Sequence, residues 1–77
     1  SRTVAILGAG AMGSGIAETA ARSGWNARLC DVRPGASREA VERIALGLRG
    51  RVAKGKLSDD DHVATVARLH AAGDLAE

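Results

Sequence analysis

Three glycines at fixed spacing are the clearest chemical feature of the sequence. Gly8, Gly10 and Gly13, within "LGAGAMGSG" (7–15), fit G-x-G-x-x-G, with Ala9, Ala11 and Met12 between them. Only Leu7 and Met12 in this stretch have side chains larger than a hydroxymethyl, so it buries little apolar surface and is costly to order. A backbone this bare suits close approach by an anion. Gly8 permits a tight turn out of a strand, Gly10 removes the Cβ that would keep a pyrophosphate away, and Gly13 lets the next helix press on that strand. The start of that helix offers unpaired N–H groups and a positive partial charge. A dinucleotide is the expected ligand. The competing phosphate loop, G-x-x-x-x-G-K-[ST], shares the Gly8–Gly13 spacing, but Ser14 stands where its lysine must be, which argues against a triphosphatase. The bland alternative is a turn that is glycine-rich for packing alone.

Asp31 follows Gly13 by eighteen residues, where a carboxylate at a strand end can accept both hydroxyls of an adenosine ribose and repel a 2′-phosphate. NAD is therefore favoured over NADP. Arg33, two residues on, pulls the other way, because a guanidinium can accommodate that phosphate. The alternative for Asp31 is a strand-end cap of the next turn.

The elements that must position these residues can be read from the pattern. "TVAILG" (3–8) is an apolar run closed by glycine, a buried parallel strand. From Met12 the spacing turns helical, with Met12, Ile16 and Ala20 on one face and Gly24 suited to a C′ position. "WNARLCDV" (25–32) reads as a second strand, Ala27, Leu29 and Asp31 alternating with Arg28, Cys30 and Val32; Arg28 implies a face that is not fully buried. Pro34 sits near a helix start, and Val41, Ile44, Leu48 and Val52 form a stripe running to about Lys54. Gly47 and Gly50 weaken that helix and signal close packing, an approaching ligand or simple tolerance. Gly55 ends it. Ser58 then caps a further helix carrying Asp59, Asp60 and Asp61 in its first turn, with Val63, Val66 and Leu69 inward. A third short strand fits Arg68 to Gly73. This order is the N-terminal part of a Rossmann-type doubly wound parallel α/β sheet, with a helical hairpin after the second strand.

With 77 residues, 45% hydrophobic but alanine-rich, and with one Trp and neither Phe nor Tyr, the chain can build only a small core. It reads as part of something larger. The lone Cys30 cannot form an internal disulfide, and in a strand it reads as a buried structural thiol. No apolar run approaches the length needed to cross a membrane and no basic start followed by an apolar h-region suggests secretion, which makes a cytoplasmic location the expected default. The net charge is +2, unevenly laid out: Arg33 to Lys56 holds seven Lys/Arg against Glu39 and Glu42. That basic stretch either faces an anion or is a solvated helix face. It lacks interleaved aromatics and has an acidic neighbour, which argues against nucleic acid. No His/Cys/Asp/Glu cluster has metal-ligand spacing. His62 and His70 read as solvent-facing, and Met12 and Trp25 as packing residues.

"VAILGAGAMGSGIAETAARSGWNARLCDV" resembles the N-terminal segment of the 3-hydroxyacyl-CoA dehydrogenase family, in which a "GAGxMGxGIA" core is typical. "RVAKGKLSDDD" resembles the helical hairpin of that family, and "GKLSDDDHVATVARLHAAGDL" is most similar to the bacterial branch acting on 3-hydroxyadipyl-CoA in phenylacetate breakdown. The resemblance covers essentially the whole chain. It implies reversible oxidation of a 3-hydroxyacyl-CoA to the 3-oxoacyl-CoA by hydride transfer to NAD, as in fatty-acid β-oxidation, by a protein that is a homodimer when intact. It further implies that Gly8 to Gly13 hold the pyrophosphate, Asp31 the adenosine ribose, and Lys54, with Arg51 and Lys56, the phosphates of coenzyme A. The family's catalytic His–Glu pair and its carbonyl-binding Ser and Asn have no counterpart in residues 1–77, which form part of an NAD-binding domain without the C-terminal catalytic and dimerisation domain. On its own the chain is expected to be inactive. Two alternatives stay open. One is a β-hydroxyacid dehydrogenase using NAD or NADP, although that group favours "GLGxMG" and Asn-Arg where this chain has Cys30-Asp31. The other is a non-catalytic dinucleotide-binding module.

Overall fold

The computed structural model describes residues 2–74. Three short strands form one parallel sheet in the order β1-β2-β3: β1 is Thr3–Leu7, β2 Asn26–Asp31 and β3 Leu69–Asp74. β1 pairs with β2 from Thr3↔Asn26 to Leu7↔Cys30, and β2 with β3 from Ala27↔Leu69, with an irregularity between Leu29 and Asp31. Parallel strands need crossovers. Here they are α1 (Ala11–Arg22), and then α2 (Ala36–Ala53) followed by α3 (Asp59–Ala67). This is the doubly wound order read from the sequence, hairpin included.

The core lies between the sheet and the helices. Ile6, Ala27, Leu29 and Leu69 point to it from the strands, Ala17 and Ala21 from α1, and Ala40, Ile44 and Leu48 from α2. Period-two alternation on β2 is realised: Ala27, Leu29 and Asp31 are buried, while Arg28 and Val32 are exposed and Cys30 is half-buried. Leu7 and Ala5 on the opposite face of β1 are exposed, so among the described residues one sheet face carries the packing. Leu29 and Leu48 are the largest fully buried side chains. The rest of the core is mainly alanine, which brings the layers close but removes little apolar area from water.

The face of α1 differs from the expected one. Met12 is 81% and Ile16 50% exposed, and the buried positions are Ser14, Ala17 and Ala21. The cause is Gly13. A Cβ there would collide with the carbonyl of Gly8 and press on Ile6 Cγ2 at 3.3 Å, so this position touches the strand and the residues four and eight later follow it inward. Met12 and Ile16 are thereby turned out, and Met12 is not a packing residue. Trp25 is half-buried, with the Arg2 guanidinium 5.3 Å from its ring centroid.

Helix α2 starts after Pro34, with Gly35 at φ +75° as its N-cap, and it ends before Gly55 at φ +72°. Its stripe is Ser37, Ala40, Ile44 and Leu48; Val41 and Val52 are only half-buried at its margin. Gly47 and Gly50 face open space, so neither close packing nor a contact within the chain explains them. In α3 the Ser58 hydroxyl accepts from the Asp61 N–H at 3.1 Å, the expected cap. Thr65 and Val66 face inward there, whereas Val63, expected inside, is 67% exposed. Leu69 is buried, but from β3.

Candidate dinucleotide site

The glycine stretch forms a turn from the end of β1 into α1, and its residues divide into two groups. Gly8, Ala9 and Gly13 build the turn. Gly8 adopts φ +105°, closed to ordinary side chains, and its N–H donates to the Cys30 carbonyl at 2.7 Å, extending the β1–β2 ladder. Ala9 is buried and donates its N–H to Asp31 Oδ2 at 2.7 Å. Gly13 lies against the strand as described. Gly10, Ala11 and Met12 face outward at the start of α1.

Gly10 is the informative residue. Its φ of −77° is open to any amino acid, and a Cβ built on it meets nothing within 4 Å. Neither strain nor packing within the chain calls for glycine there. Gly10 is also the N-cap of α1, no side chain caps that end, and the first turn has no acidic residue. Backbone N–H groups and the positive end of the helix dipole therefore face a surface without a side chain in the way. The cradle fits the diphosphate of a dinucleotide.

Asp31 stands beside this turn, as the ribose reading requires. Its side chain is 6% exposed, and both oxygens are engaged: Oδ1 accepts from the Arg33 N–H at 2.9 Å and from Nε at 3.0 Å, and Oδ2 from Nη2 at 2.9 Å and from Ala9. The Arg33 side chain, with the N–H groups of Ala9 and Arg33, holds the Asp31 carboxyl far below the usual carboxylate range against the opposing effect of burial. Arg33 in turn is shifted upward by Asp31.

Two partners of the turn escape a reading of the sequence. Arg43, on α2, reaches the Ala9 carbonyl at 3.3 Å and the Ser14 hydroxyl at 3.1 Å, and that hydroxyl also lies 3.4 Å from the Ala9 carbonyl. The one available signal was a cation at the margin of the α2 stripe, next to Ile44.

The basic residues at the end of α2 stand apart from this turn. Over its 18 residues the helix rises about 27 Å away from the Asp31 end of the sheet. Arg51 lies 3.9 Å from Glu18 of α1, while Lys54 and Lys56 are exposed and form no ion pair among the described residues. His70 is exposed, its Nε2 3.2 Å from Asn26 Oδ1. His62 departs from expectation. It is half-buried where α3 meets α2, and its Nε2 is buried without a hydrogen-bond partner among the described residues. Among those residues no helix is long and apolar enough to cross a membrane.

Residues 3–77 match the family model described as 3-hydroxyacyl-CoA dehydrogenase, NAD binding domain. The chain is 41% identical over 68 residues to 3-hydroxyadipyl-CoA dehydrogenase of Escherichia coli K12, covering 88% of this chain and 14% of that protein. It is 34% identical over 76 residues to a probable 3-hydroxybutyryl-CoA dehydrogenase of Bacillus subtilis 168, covering 99% of this chain and 26% of that one. A crystal structure of 3-hydroxybutyryl-CoA dehydrogenase from Escherichia coli K12 matches with a TM-score of 0.89 and 39% identity, over 96% of this chain and 16% of the other. The chain thus spans between 14% and 26% of the length of these relatives. A match that runs from the first strand through the hairpin makes the chain a member of the 3-hydroxyacyl-CoA dehydrogenase family, within its NAD-binding domain.

Proposed function

We propose that this chain holds NAD for the oxidation of a 3-hydroxyacyl-CoA, and that the observation carrying this is the open space in front of Gly10 at the uncapped start of α1. The diphosphate lies against the N–H groups of Ala11 and Met12. Gly8, Ala9 and Gly13 keep the turn in shape, and Asp31, 2.7 Å from the Ala9 N–H, takes the adenosine ribose. When bound here, NAD would supply the hydride acceptor for C3 of the substrate. The residues of this chain bind and orient it; the proton is removed by a His–Glu pair in a further domain of the whole protein.

The phosphates of coenzyme A meet Lys54 and Lys56, with Arg51 behind them. Support comes from the exposure of Lys54 and Lys56 and their lack of carboxylate partners among the described residues, and from the extended shape of coenzyme A, which can reach a helix end remote from the nicotinamide cofactor. The names of the relatives point to short 3-hydroxyacyl groups, 3-hydroxyadipyl or 3-hydroxybutyryl. The whole protein acts as a cytoplasmic homodimer. Neither the β-hydroxyacid dehydrogenase reading nor the non-catalytic module explains a family match that continues through the basic hairpin.

The test is 3-hydroxybutyryl-CoA-dependent reduction of NAD by the full-length protein. Lys54→Ala should raise KM for the acyl-CoA about three- to tenfold, the loss of one charge-assisted contact, and leave kcat and NADH affinity near wild type. An unchanged KM removes Lys54 from the substrate site. A full-length protein that reduces no NAD with any 3-hydroxyacyl-CoA contradicts the reading as a whole.

A further inference from the structure

The Asp31 carboxylate has its acceptor capacity fully used. A carboxylate offers roughly four lone-pair sites, and here four hydrogen bonds fill them, two from backbone N–H groups (Ala9 and Arg33) and two from the Arg33 guanidinium. A ribose diol brings two O–H donors and finds no vacant acceptor on Asp31 until that guanidinium leaves. The fork of Nε and Nη2 therefore stands where the two hydroxyls would stand. It can leave readily: the Arg33 side chain is 64% exposed, so the displaced cation passes into water, and Asp31 keeps both backbone donors and is not orphaned. The displaced guanidinium stays tethered two residues from Asp31. Arg43 places a second cation on the same turn, against the Ala9 carbonyl whose peptide neighbour bonds Asp31.

We propose that Arg33 is a specificity-determining residue of the adenosine site: it competes with the ribose of NAD(H) for Asp31 and, once displaced, pairs with a 2′-phosphate, so that NADP(H) is accepted as well. This rests on the reading of Asp31 as the ribose acceptor. A 2′-phosphate carries up to two negative charges and matches a guanidinium fork in two-point geometry. A bare carboxylate would repel it. The Arg33 guanidinium, tethered two residues from Asp31, offsets that repulsion by meeting the phosphate.

The experiment is titration of the full-length protein, wild type, Arg33→Ala and Asp31→Asn, with NADH and with NADPH, each variant checked for wild-type circular dichroism. Arg33→Ala removes both the competitor and the phosphate partner. The NADPH-to-NADH ratio of dissociation constants should rise at least about tenfold, through tighter NADH and weaker NADPH together. Raising the salt should weaken NADPH more than NADH in the wild type and should lose that difference in Arg33→Ala. A ratio unchanged by Arg33→Ala overturns the inference while leaving the ribose reading intact if Asp31→Asn still weakens NADH. NADH affinity unchanged in Asp31→Asn overturns the ribose reading, and with it the role given to Arg33.

Discussion

Gly13 and Asp31 place the fold and the site on the same few atoms. Gly13 lets α1 touch β1, and a Cβ there would strike the Gly8 carbonyl, so Gly13→Ala must displace helix from strand. That substitution should lower stability by about 1–3 kcal/mol, read as the shift in a denaturant midpoint at unchanged slope. Asp31 adds a pH dependence. Its carboxyl lies lower in the folded chain than in the unfolded one, so the charged form favours folding. The contribution is complete above the unfolded carboxylate value of about 3.9 and is lost as the pH falls toward the folded value. Denaturation curves taken from about pH 6 down to pH 2 should show an acid limb in the wild type that is shallower in Asp31→Asn.

Helix α1 shows what a single sequence conceals. Its apolar side chains with the most surface, Met12 and Ile16, share a face, and a hydrophobicity argument turns that face inward. Steric contact decides otherwise, because a stripe of Gly13, Ala17 and Ala21 allows closer approach than a stripe of large residues. β2 is legible because its period-two pattern has one apolar face, ending in Asp31. α2 and α3 are legible at their ends, where Pro34, Gly55 and Ser58 impose local geometry, but less so at Val63. Arg43 is not legible as a partner of the turn, since its bonds to Ala9 and Ser14 cross 34 and 29 residues and exist only after packing. The Ser58 cap is local and should behave so: Ser58→Ala should cost about 1 kcal/mol by chemical denaturation, with NADH affinity untouched.

At the scale of the molecule the core is thin. Among the described residues Leu29 and Leu48 are the only large side chains buried completely, in a shell made mostly of alanines. A domain of this size has about 4–12 kcal/mol of stability, and truncating a buried leucine typically removes 2–5 kcal/mol. Leu48→Ala should therefore lower the thermal midpoint by several degrees, and NADH should partly restore it by binding the folded state.

On the proposed function, Gly10 is glycine for the sake of a ligand. Direct titration of Gly10→Ala with NADH, alongside its thermal melt, tests it most sharply, because the added methyl meets open space in the structure. The expected result is a wild-type melting temperature together with NADH affinity weakened at least about tenfold. A variant that melts like the wild type and binds NADH equally well would contradict it.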